Sequence, residues 1–195
     1  MPARGPFDLV CQMAGLFDEL DVLYALGGSM ASSLLGEPRS TVDVDMAVQL
    51  DIRSGEAFLE RVGPRFYVPL EQARAAILNR SAFNLLDTAS ALKIDLFVVG
   101  DGLLDRMQIA RRVLLAVPGA PGGIWVTSGE DQVLRKLDWR RQGGSISDRQ
   151  WRDVVGILRV HRGALDLDYL QTSAMELGLS TDLDQALRQA DPEAR

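Results

Sequence analysis

Residues 22–26 form a short apolar run that stops at Gly27, Gly28 and Ser29 and passes into a helical pattern over 29–35. A strand, a glycine turn and a helix in so few residues commit the chain to an α/β layer. The turn has a chemical consequence. Backbone N–H groups point out of a helix N-terminus, and two glycines leave no side chain to block a phosphate approaching them. The Ser29 hydroxyl adds a further contact, so Gly28 and Ser29 are candidate nucleotide-phosphate ligands.

After Ser29 and thirteen intervening residues comes Asp43-Val44-Asp45, inside a strand expected over 42–48. Side chains alternate along a strand, so both carboxylates are expected on one face and Val44 and Met46 on the other. Two like charges that close call for a cation. A third carboxylate, Asp95, stands on a strand expected over 92–99, where Ile94, Leu96 and Val98 oppose Lys93, Asp95 and Phe97. Magnesium takes oxygen ligands and keeps room for substrate phosphates. Asp43, Asp45 and Asp95 are therefore candidate ligands of Mg2+ or Mn2+ and candidate catalytic residues, one ion activating an acceptor hydroxyl and another holding the triphosphate.

The rest of the chain supplies a scaffold. Helical spacing covers 7–20 and 70–79, and 81–86 reads as a strand. Pro118 to Gly123 reads as a loop, after which 129–141, 148–161, 167–177 and 182–190 are all helical. Ser128 before Glu130 and Asp131 is an N-cap pattern, Gly143 and Gly144 close that helix, and Ser147 starts the next. The expected fold class is α/β (α+β): a mixed sheet flanked by helices over 1–117, with a C-terminal helical part, 118–195, packed on it.

Composition narrows the function. A net charge of −6 disfavours long nucleic acid as the default partner. One cysteine, Cys11, allows neither an intrachain disulfide nor a Cys-based zinc site, and one histidine, His161, makes a multi-His metal site or a His-based triad hard to build. No apolar run reaches 18 residues and no secretory leader pattern opens the chain, so the expected location is cytoplasmic, away from the membrane. Of 21 basic residues only Lys93 and Lys136 are lysines.

Gly27-Gly28-Ser29 followed at this distance by Asp43-Val44-Asp45 resembles the signature of the polymerase-β-like nucleotidyltransferase superfamily, and Lys93-Ile94-Asp95-Leu96-Phe97 resembles its third-carboxylate strand. Through Thr41–Asp45, Ser81–Leu85, Glu130–Leu137 and Ser147–Val154, the chain also resembles, over roughly residues 20 to 190, an uncharacterised bacterial group near the AbiEii-type nucleotidyltransferases. The resemblance implies a metal-dependent transferase that moves an NMP from an NTP such as ATP to a hydroxyl on RNA, protein or a small molecule. It also implies that Lys136 faces the nucleotide, as a point charge on the β- or γ-phosphate. AbiEii-type enzymes include toxins, so a toxin–antitoxin role with an antitoxin partner enters the field. Two rivals stand beside this reading: a binding or regulatory module of the same fold without turnover, and an aminoglycoside-type small-molecule nucleotidyltransferase.

Other charged residues have blander explanations. Arg39, before the strand, reads as a solubilising charge more than a phosphate ligand, and the arginines of the helical part as an ion-paired surface. Trp139 and Trp151 read as packing residues, with stacking on an RNA end as the alternative.

Overall fold

Alternation of apolar residues in strands, and their three- or four-residue spacing in helices, sets the order of elements. The computed structural model describes residues 5–143 and 148–191. The order is α1 (Pro6–Glu19), β1 (Tyr24–Leu26), α2 (Gly28–Leu35), β2 (Val44–Val48), α3 (Ile52–Val62), β3 (Phe66–Tyr67), α4 (Leu70–Asn79), β4 (Ala82–Asp87), β5 (Lys93–Val98), α5 (Leu103–Ala110), β6 (Val113–Val117), β7 (Ala120–Val126), α6 (Gly129–Gln142), α7 (Asp148–Val160), α8 (Leu167–Leu177) and α9 (Ser180–Ala190). Two compact units result: Met1–Met30 with Thr41–Thr127, and Ala31–Ser40 with Ser128–Arg195.

The first unit is built on a seven-stranded sheet in the order β3-β4-β5-β2-β1-β7-β6. β2 runs parallel to β5 and β1 to β7, while the other neighbours are antiparallel, so the sheet is mixed. One face is the core. It carries Met46, Val48, Ile94, Leu96, Phe83 and Leu85, and Phe17 of α1 lies 5.3 Å, ring to ring, from both Tyr24 and Phe58 of α3. Burying each such side chain contributes about 1.5–3 kcal/mol. On the opposite face Ala25 and Ala47, paired across β1 and β2, lie under Ile109 of α5. The expected alternation of β5 holds: Ile94, Leu96 and Val98 are buried, and Lys93, Asp95 and Phe97 are not.

Pro118 to Gly123, expected to be a loop, is a turn at Pro118 and Gly119 followed by the first residues of β7. Its glycines serve a strand. A β-carbon on Gly123 would meet the Leu115 carbonyl at 2.7 Å, so the close pass of β6 across β7 requires glycine there. Strand β6 and helices α3 and α5 were not anticipated from the pattern.

The second unit is helical. Val133, Leu134 and Leu137 of α6, Val154 and Ile157 of α7, Leu170 of α8, and Leu183 of α9 are buried. Ser128 caps α6, its hydroxyl accepting the Asp131 amide at 3.1 Å. Gly144 and Ser147, read from sequence as a helix stop and start, lie outside the described residues. Segment 31–40 belongs to this unit: Gln132 donates to the Ser32 hydroxyl at 2.8 Å. Among the described residues no helix is long and apolar enough to cross a membrane.

Candidate functional site

The site begins with the glycine turn. Gly28 opens α2 with φ at +60°, a backbone region that costs other residues about 1–2 kcal/mol. A β-carbon there would lie 1.9 Å from Asp45 Oδ2 and 2.7 Å from Asp45 Cβ. Asp45 therefore reaches over the first residue of the helix, and only glycine leaves it room. Gly27 fixes the same approach through its backbone, its N–H donating to the Asp45 carbonyl at 2.9 Å.

The strands bring the acids together. β2 and β5 run side by side with Asp45 opposite Asp95, so the two share one face of the sheet. On the far side of β5, Asn84 of β4 stands opposite Asp95. Asp45, Asp95 and Asn84 thus form a row across three strands. Asp43 differs from expectation: β2 begins at Val44, and Asp43 sits exposed just before it. The Asp43 amide donates to the Thr41 hydroxyl at 3.4 Å, a local side-chain bond of the kind that competes with strand pairing.

Lys93, to which the sequence assigned no role, belongs to the same cluster. Its ammonium lies 2.8 Å from Asp95 Oδ2. The bond to Asp95 raises its pKa, outweighing the opposing effect of burial, and the charges of Asp95, Asp43 and Asp45 push in the same direction. One ammonium therefore sits in the field of all three carboxylates. Strand alternation was the available signal, since Lys93 and Asp95 are two residues apart on one face.

The donor set is all oxygen, the kind a hard divalent cation takes, and the lack of a side chain at Gly28 gives the Asp45 carboxylate its place over the turn. Among the described residues, no three carboxylate, imidazole or thiol groups converge closely enough to hold a metal ion as they stand. Asp45 and Asp95 fit a divalent ion in chemistry and in register, with Lys93 as the cation now among them.

Lys136 lies in the helical unit and is 3% exposed. Its ammonium donates to Asp153 Oδ2 at 2.9 Å. The same carboxylate receives Arg39 through Nε at 2.9 Å and Nη2 at 3.0 Å. Two cations thus share one buried carboxylate. Burial alone would raise the Asp153 pKa, yet the hydrogen bonds and charges of Arg39 and Lys136 hold it below the usual carboxylate range. Arg39, read as a solubilising charge, is thus an anchor. Trp151 is likewise occupied, donating to Gln189 at 2.7 Å with the Arg140 guanidinium 4.7 Å above its ring.

No known family model matches this sequence, and no curated protein does. Solved structures do. An antigenic nucleotidyltransferase-like protein from Paracoccidioides brasiliensis is 18% identical and superposes with a TM-score of 0.57, over 97% of this chain and 94% of that one. The antibiotic-resistance factor ANT(2'')-Ia is 13% identical, with a TM-score of 0.51 over 91% of this chain and 94% of its own. The chain has the nucleotidyltransferase fold, a mixed sheet flanked by helices. Neither structure is described as AbiEii-type.

Proposed function

We propose that the protein is a nucleotidyltransferase that moves an NMP from an NTP to an acceptor hydroxyl. One observation carries this reading: Asp45 and Asp95 stand in register on adjacent strands, and Asp45 reaches over the glycine turn that opens α2. A phosphate-binding helix end and paired carboxylates are what this reaction needs side by side.

Gly28 and Ser29 take nucleotide phosphate, and Asp43, Asp45 and Asp95 hold Mg2+ or Mn2+. Bound there, the ion supplies charge neutralisation for the triphosphate. The acceptor oxygen attacks the α-phosphorus, the bond from that phosphorus to the bridging oxygen breaks, and pyrophosphate leaves with the electron pair. Asp95 takes the hydroxyl proton. It gives up its bond with Lys93 for this role.

Calorimetric titration of ATP in Mg2+ tests the reading. Micromolar to millimolar binding that requires the ion and is lost in Asp45→Asn supports it, whereas ion-independent binding that Asp45→Asn leaves intact points to a binding module without turnover.

A further inference from the structure

Beside the acidic row the sheet stays open. β3, β4 and β5 bury Phe66, Phe83, Leu85, Ile94 and Leu96 on one face. On the other face Tyr67 pairs with Leu86, and Leu86 with Lys93, making a second row next to Asn84 and Asp95. Tyr67 is 63% exposed and Leu86 39%. Adjacent strands lie about 4.8 Å apart and residues two apart in a strand about 7 Å apart. Tyr67 therefore stands two strands, roughly 10 Å, from β5. That is the reach of a small molecule with a ring at one end and a hydroxyl at the other.

We propose that this shelf seats the acceptor, and that the acceptor is a small hydroxyl compound bearing a flat apolar ring. The proposal rests on the nucleotidyl-transfer reading and adds the acceptor class. The phenol face of Tyr67 and the side chain of Leu86 take the ring, the Asn84 carboxamide offers both a donor and an acceptor along the way, and the hydroxyl arrives at Asp95. Charge argues against an RNA end. Lys93 is the only cation that these three strands place on the face, and it is bonded to Asp95. Phosphodiesters laid on these three strands would meet the Asp95 carboxylate and no arginine of β3, β4 or β5. Besides Asp95, the residues of β3, β4 and β5 on this face offer a polycation no carboxylate either.

The test compares 4-nitrophenyl β-glucoside with methyl β-glucoside, which share their sugar hydroxyls and differ in the ring. Binding to the full chain is measured by saturation-transfer NMR and calorimetry, for wild type, Tyr67→Ala and Tyr67→Phe. The proposal expects the aryl compound to bind at least about ten-fold more tightly, Tyr67→Ala to lose that preference and Tyr67→Phe to keep it, with MgATP affinity unchanged throughout. Equal binding of the two glucosides, or a preference that survives in Tyr67→Ala, overturns it. Tighter binding of a decaadenylate than of the aryl glucoside, lost in Tyr67→Ala, overturns it in favour of RNA. Tyr67-dependent ring preference without MgATP binding keeps the shelf and removes the transfer reading; MgATP binding without ring preference does the reverse.

Discussion

The carboxylate of Asp45 occupies the space that a side chain on Gly28 would need, with Oδ2 lying 1.9 Å from where that β-carbon would be. Gly28→Ala must therefore displace Asp45 and also accept a φ of +60°. The expected loss is about 1–2 kcal/mol of stability and on the order of 100-fold in nucleotidyl transfer. Gly27 is the control: a β-carbon there meets the Asp45 carbonyl at an ordinary 3.8 Å. Gly27→Ala should stay within about 0.5 kcal/mol of wild type in urea unfolding.

Lys93 competes with any divalent ion for the same carboxylates. Removing its ammonium in Lys93→Met should tighten Mn2+ binding by roughly five-fold, the scale of an exposed ion pair of up to about 1 kcal/mol. Titration followed by Mn2+ electron paramagnetic resonance measures this. Unchanged or weaker affinity would show that Lys93 does not share a site with the ion.

Asp153 ties α7 to Lys136 and Arg39 while only 5% of its side chain is exposed. Asp153→Asn removes the carboxylate that both cations share and should cost about 3–5 kcal/mol at pH 7. The carboxyl is held below its ordinary value despite burial, so the stability from this node is present above the ordinary aspartate pKa near 4. It drains away as pH falls through the lowered native value. The gap between wild type and Asp153→Asn in urea unfolding should thus be widest near neutrality and shrink as pH falls below the ordinary aspartate value.

Legibility from sequence followed how local the determining contacts are. α4 and α8 fall where their spacing put them, at Leu70–Asn79 and Leu167–Leu177, because the apolar period is a property of the segment itself. The face of β5 that carries Asp95 was legible for the same reason. α3 escaped notice although its start is marked locally, Asp51 accepting the Ser54 amide at 2.7 Å and Ser54 returning a bond to the Asp51 amide. β7 was hidden by its glycines, whose strand role depends on how closely β6 passes. The role of Lys136 was the least accessible: its acid is Asp153, on a different helix and 17 residues away, and only helix packing makes that pair.

Nucleotidyl transfer is measured by incubating the protein with each α-³²P-labelled NTP and Mg2+ together with RNA, protein or small hydroxyl acceptors, for wild type and Asp45→Asn. Wild type is expected to label an acceptor and release pyrophosphate, with transfer reduced on the order of 1,000-fold in Asp45→Asn. Transfer that proceeds equally in Asp45→Asn would contradict this expectation, as would the absence of transfer to every acceptor by a wild-type protein that binds no NTP.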